Sequence, residues 1–297
     1  MADAIVVAPP VLARPATARA ALPGVFAYPQ LVIGAAALAL LLAGAVIGPM
    51  LVGYGPTDAD FAAALTGPST THVLGTDQLG RDSLSRALSG ARLSLVVAGG
   101  TVIISLAGGV PLGLLSGLRR GWLASLMMRI VDGLLAFPAL ILAMAIAFVL
   151  GPSLPTVIVA LGVVRLAPLA RVVRSQVLSV KECDYIESAR AIGATTVRIA
   201  FAHVLPNLAS TILVQASLTA GAAIFAEASL SFLGAGVPPP TPTWGGMLHD
   251  AYPYLEVNPW QTLVPGACIF LAVLSCNFIG EGIRDLLDPR ERTRRAA

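Results

Sequence analysis

LSLVVAGGTVIISLAGGVPLGLLSGL, residues 93–118, runs for 26 residues without a charged side chain. As a helix it reaches about 39 Å, enough to cross a hydrocarbon core of about 30 Å. Gly109, Gly113 and Gly117 are spaced four apart within it. That spacing lays a stripe of small residues on one helix face, where a second helix can approach closely.

The rest of the chain has the same character. Of its 297 residues, 56% are hydrophobic and only 12% are charged, with a mean hydropathy of +0.82. Soluble globular chains carry about 25% charged residues. The composition therefore points to a helical membrane bundle, an all-α polytopic protein. Further runs supply the spans: Leu31–Gly53 is uncharged, and Leu134–Leu150 is broken near its start by Pro138. Leu154–Val164 is too short to cross alone, so its helix must continue through Arg165 towards Leu169, the guanidinium reaching for the interface. Asn207–Phe232 carries Glu227, and Gln261–Gly280 is again uncharged. Six spans result.

Basic residues orient them. With the N-terminus inside, the inner segments hold Arg14 and Arg19, then Arg119, Arg120 and Arg129. They also hold Arg165, Arg171, Arg174, Lys181, Arg190 and Arg198, and finally Arg284, Arg290, Arg292, Arg294 and Arg295. Those are 16 of the 19 basic residues, leaving only Arg81, Arg86 and Arg92 outside. This is a positive-inside pattern with both termini on the inner side. Residues 1–30 lack a basic region followed by a compact apolar core, so they read as an inner tail rather than a signal peptide. Within them Val6–Leu12 is suited to lying on the membrane surface. Residues 54–92 form an outer segment and residues 285–297 a second inner tail.

The inner segment between the fourth and fifth spans, RVVRSQVLSVKECDYIESARAIGATTVRIAFAHVLPN (171–207), is too patterned for a plain connection. Its apolar residues recur at helical intervals among charges, Gly193 ends one short helix, and Thr195–Val204 forms a second amphipathic stretch before Pro206. A helix–turn–helix with an apolar side and a charged side suits docking into a groove of a soluble partner. A loop that only shields the bundle is the alternative.

Here the residues resemble a family. Glu187-Ser188-Ala189, Gly193 and Leu205-Pro206 fit the spacing of the EAA loop of bacterial ABC importer permeases, with Ser188 in place of an Ala and His203 where the pattern has Ile. HVLGTDQLGRDSLSRALSGARLSL (72–95), MRIVDGLLAFPALILA (128–143), EASLSFLGAGVPPPTPTWGGML (227–248) and NFIGEGIRDLLDPR (277–290) narrow the resemblance to the C-type subunit of peptide/nickel permeases. Leu166 and Leu169 depart from it, standing where relatives often carry aromatic residues. The resemblance implies a type I ABC importer permease fold, with a core over residues 93–284 and a loop over 171–206 that sits in a cleft of an ATPase subunit. It implies a second, B-type permease chain, two ATP-binding subunits or domains, and an outer substrate-binding protein. ATP and Mg would be used by those partners and no cofactor by this chain, which would lie in the bacterial cytoplasmic membrane and import di- or oligopeptides. Relatives that carry nickel or glutathione-like cargo leave the substrate open.

Other residues carry less. Gly75–Gly80 has the spacing of a phosphate-binding loop, but Arg81-Asp82 follows where Lys-Ser/Thr is needed, and no strand precedes it. Arg81, Asp82 and Arg86 are better placed to brace outer helix ends through salt links, or to contact a binding protein. Glu227, an acid deep in an apolar run, lines a translocation path or gate, or hydrogen-bonds the following turn near the outer surface. Asp132 pairs locally with Arg129, three residues earlier. Cys183, Cys268 and Cys276 have no metal-ligand spacing, and His203 and His249 lie on opposite sides of the membrane, so no metal site is expected. Pro238–Pro240 stiffen the last outer loop, with Trp244 and Trp260 as interface anchors. A stand-alone ion-coupled carrier would need several buried charges at mid-membrane, and only Glu227 is offered. No HExxH or GxSxG motif suggests an intramembrane enzyme.

Overall fold

The protein's structure, a computed structural model, describes residues 28–287. The expected inner tails lie outside the described residues up to residue 27, including Val6–Leu12, and from residue 288 onward. The elements in chain order are α1 (Pro29–Leu51), a 3-10 turn (Phe61–Ala63), α2 (Ser83–Leu118), α3 (Trp122–Leu135), α4 (Ala139–Leu150) and α5 (Leu154–Val180). There follow α6 (Asp184–Ala191), α7 (Thr196–Ile199), a π-turn (Ala200–Val204), α8 (Leu205–Phe232), α9 (Trp244–Ala251) and α10 (Trp260–Leu287). Among the described residues, five helices are long and apolar enough to cross a membrane, and the bent pair α3–α4 makes a sixth candidate.

That pair corrects the third span. It starts at Trp122 rather than near Leu134, and its halves meet at 92°. Arg129 and Asp132 hide the first half from a search for apolar runs, although the helix buries only Ala124, Met128 and Val131. Pro138 supplies no N–H and disfavours helical backbone at Phe137, so the chain turns there. The 12 residues of α4 reach about 18 Å, too little to cross alone.

The fourth span is also longer than expected. Ser153 caps α5 by accepting from the Thr156 N–H, and the helix continues for 27 residues to Val180. Arg165 is therefore half-buried in mid-helix, roughly 16 and 22 Å from the two ends, without an ion pair among the described residues. The helix thus runs well past Leu169, and Arg165 stands in the middle of the span rather than at its end.

The tightest packing joins α2 to α5 along the glycine stripe. A Cβ on Gly109 would lie 3.0 Å from the Leu169 side chain; on Gly113 it would lie 2.6 Å from Val173 Cβ, and on Gly117 2.6 Å from Val177 Cγ1. Leu169, only 2% exposed, fills the space left by Gly109, which gives this departure from the family pattern a packing reason.

The two ends of the bundle differ. One, called here the loop end, carries α6 and α7. The other, the cap end, carries residues 54–82 and α9. Trp244 is fully buried at the cap end, its Nε1–H donating to the Ala87 carbonyl at 2.9 Å. It anchors α9 into the core beside Gly90 rather than sitting at an interface. Trp260 is 45% exposed.

Candidate functional site

The loop end is built from the residues upward. After α5 the chain turns at Lys181–Cys183 into α6, and Gly193 takes φ +86°, a left-handed conformation that glycine adopts without strain. Thr195 then caps α7 by accepting from the Arg198 N–H. The helix does not restart at Pro206. Thr196–Phe232 is continuous, and the Leu205 N–H reaches back five residues to the Ala200 carbonyl. Pro206 has no N–H for Ala202 and its ring crowds that carbonyl, and one widened turn absorbs the mismatch.

Ile186, Ile199, Ala200, Val204 and Leu208 are buried in one cluster with Leu114, Leu169, Val173 and Val177. The segment is thus seated on α2 and α5. Asn207 Nδ2 donates to the Tyr185 hydroxyl at 3.0 Å and to the His203 carbonyl at 2.7 Å, tying α6 to the start of α8. Lys181 Nζ donates to the Gly117 carbonyl at the end of α2.

The opposite face of the segment is open. Glu187, Ser188, Arg190 and Gly193 are exposed, while Ala189 faces the core and His203 is half-buried. Among them stand large apolar side chains: Ile192 is 87% exposed, Val197 67% and Phe201 63%. Side chains of this kind are covered in the assembled protein by lipid or by a second protein surface.

The cap end holds the expected charges in a different pairing. Asp77 receives Arg81 Nε at 2.6 Å and lies 3.4 Å from Arg86 Nε, and both guanidinium groups reach Asp250 on α9 at 3.3 and 3.4 Å. Asp82 instead caps α2, accepting from the Ser85 N–H at 2.7 Å, and contacts His72 Nδ1 at 2.9 Å. Sequence reasoning missed His72 and Asp250. The i,i+4 spacing of Asp77 and Arg81 was available as a signal, but nothing local marks Asp250. Gly75 and Gly80 make left-handed turns in this cap, and the Asp60 carbonyl occupies the place where a Gly80 side chain would stand.

Glu227 is fully buried, with hydroxyl donors Ser231 at 2.8 Å and Ser94 of α2 at 3.3 Å, and it forms no ion pair among the described residues. Ser231 also lines a cap-end pocket of about 270 Å³ together with Arg81, Arg86, Asp250 and the Pro238–Pro240 stretch. Asp132 pairs not with Arg129 but with Arg171 of α5, at 2.5 Å, because the bend brings α3 against α5. The expected residues thus fall into separate groups: the loop end, the cap cluster, and Glu227 just beneath the cap.

Residues 109–293 match the family described as binding-protein-dependent transport system inner membrane component. The chain belongs to this family. A dipeptide transport system permease of Alkalihalophilus pseudofirmus is 43% identical to it, over 84% of this chain and 82% of that one. A di/tripeptide transport system permease of Pseudomonas aeruginosa is also 43% identical, over 83% of each. A glutathione transport system permease of Pectobacterium atrosepticum matches at 43% over 78% of this chain and 77% of its own. A solved structure of the MetNI methionine ABC transporter in inward-facing conformations has a chain with a TM-score of 0.58 at 22% identity, covering 68% of this chain and 97% of that one; it shows the shared permease fold. This family member is the membrane permease of an ABC importer. Membership implies ATP-binding partners and a second permease, and the family's role is transport rather than catalysis.

Proposed function

We propose that this permease imports di- or oligopeptides across a bacterial cytoplasmic membrane and is driven through its loop end by ATP-binding subunits. The observation that carries the coupling role is the exposed face of α6, with Glu187, Ser188 and Arg190 and with Ile192 projecting just past its end, standing on a buried cluster continuous with α8. Glu187, Ser188, Ala189, Gly193, His203, Leu205 and Pro206 belong to this element.

The geometry supports a lever. A load on α6 passes through Ile186 to α5 and through the Tyr185–Asn207 bond to α8, whose far end carries Glu227. Closure of an ATPase pair around bound ATP and Mg would draw two such elements together and open the path outward, and hydrolysis would reset it. The chain would supply half of the path, beside a B-type permease, and receive cargo from an outer binding protein. Both termini would lie inside. Glutathione-like cargo is the second reading, favoured by the relative named for glutathione transport.

The test is recovery of the tagged permease from its own membranes, with mass spectrometry of co-purifying chains. A second permease, ATPases and a binding protein are the expected companions, and binding assays on the last would separate peptide from glutathione-like cargo. A Gly193→Arg variant should keep the second permease and lose the ATPases. If neither form brings down an ATPase, the coupling role is wrong.

A further inference from the structure

At the loop end, the last turns of α2, the corner Arg119–Trp122 and the start of α7 enclose a groove of about 760 Å³. Its walls are apolar: Pro111, Leu115 and Leu118 on one side, Val197 and Phe201 on the other. Arg119 and Arg120 line it too, both exposed, and neither forms an ion pair among the described residues. No acidic side chain lines the groove. Gly121 takes φ +104° to turn the corner into α3, and Trp122, 76% exposed, marks its edge.

The long uncharged run of α2 ends at these arginines, so the groove opens where the hydrocarbon meets water, the depth that tryptophan prefers. A soluble anion would leave the apolar walls uncovered. An apolar protein helix would leave two guanidinium groups without counter-charge. A ligand that joins a phosphate to a hydrocarbon chain satisfies both, because arginine holds phosphate through paired N–H donors and basic pockets between helices hold anionic headgroups.

We propose that this groove binds an anionic phospholipid, its phosphate on Arg119 and Arg120 and an acyl chain along Pro111, Leu115 and Phe201. Ala200 and Phe201 belong to the π-turn, so the lipid braces the segment between α6 and α8. The leaflet assignment and that bracing role rest on the function proposed above; the binding chemistry does not.

The test uses the complete complex with its partner subunits in nanodiscs of phosphatidylcholine. Photoactivatable phosphatidylglycerol and phosphatidylcholine of matched acyl chains serve as probes, and adducts are mapped by mass spectrometry. Phosphatidylglycerol should label residues 110–123 and 196–205 well above phosphatidylcholine. Unlabelled phosphatidylglycerol should displace it, whereas phosphatidylcholine and inorganic phosphate should not. Arg119→Gln with Arg120→Gln should weaken that preference by about fivefold per arginine, while the double Lys variant keeps most of it and Arg284→Gln leaves it unchanged. Equal labelling by both lipids overturns the proposal. So does labelling seen only when the ATPase subunits are absent, since a protein then fills the groove. The assay reads neither uptake nor ATP hydrolysis, so its failure is distinct from failure of the import reading.

Discussion

The Lys181 ammonium donates to the Gly117 carbonyl across 3.2 Å, joining the last turn of α2 to the turn that launches α6. The carbonyls of a helix's last turn lack partners within the helix, and a cation there also meets the negative end of the helix dipole. Lys181→Met removes both effects and should cost about 0.3–1 kcal/mol. A small fall in the thermal midpoint of the purified complex would report this, with Lys181→Arg close to wild type. Under the coupling role, the Met variant should also hydrolyse more ATP per cargo molecule moved.

Gly113→Ala tests the seam between α2 and α5. The added Cβ would meet Val173 Cβ at 2.6 Å and the Ala170 carbonyl at 2.7 Å, so one helix must move. Overpacking of this kind costs about 1–3 kcal/mol. Gly99→Ala is the control in the same helix, where nothing lies within 4 Å. The first variant should lower the thermal midpoint and the second should leave it unchanged or raise it. Equal midpoints would mean that α2 and α5 are not closely packed in the membrane.

What could be read in the sequence follows from range. The glycine stripe, the left-handed Gly193 and the amphipathic loop are local patterns, and each has a structural counterpart. The first half of the bent pair was hidden because Arg129 and Asp132 interrupt its apolar pattern, while the Asp132–Arg171 pair spans 39 residues. Trp244 resembles an interface anchor in a Gly- and Pro-rich loop, and only the contact with Ala87, 157 residues away, shows it to be core. Asp250 joins the cap charges across a similar separation from Arg86.

Asp77→Asn and Asp132→Asn should differ sharply in cost. Asp77 is shared by Arg81 and Arg86, whose side chains are only 10% and 5% exposed, so removing its charge leaves guanidinium groups under-compensated in a buried setting. Breaking a buried pair in this way costs about 3–5 kcal/mol, reduced here by Asp250, which still faces both arginines. Asp132 and Arg171 are 58% and 57% exposed, and such a pair is worth about 0–1 kcal/mol. Protease sensitivity of residues 54–82 should rise in the first variant and stay unchanged in the second.

Glu227→Gln separates a gate from a structural acid. The carboxyl group is fully buried under Ser94 and Ser231 with no ion pair among the described residues, and an intramembrane acid of this kind is a functional candidate by default. Gln keeps the shape and an acceptor oxygen for either serine, so the thermal midpoint should stay within about 1 kcal/mol of wild type. Removal of the acid should nevertheless slow uptake into proteoliposomes by about tenfold, a barrier change of about 1.4 kcal/mol. Glu227→Ala leaves both hydroxyls unpaired as well and should lower the midpoint, by about 1–3 kcal/mol for each group left unsatisfied. If the Gln variant transports like wild type while the Ala variant unfolds early, Glu227 only ties α8 to α2, and the gate must be sought elsewhere on the path.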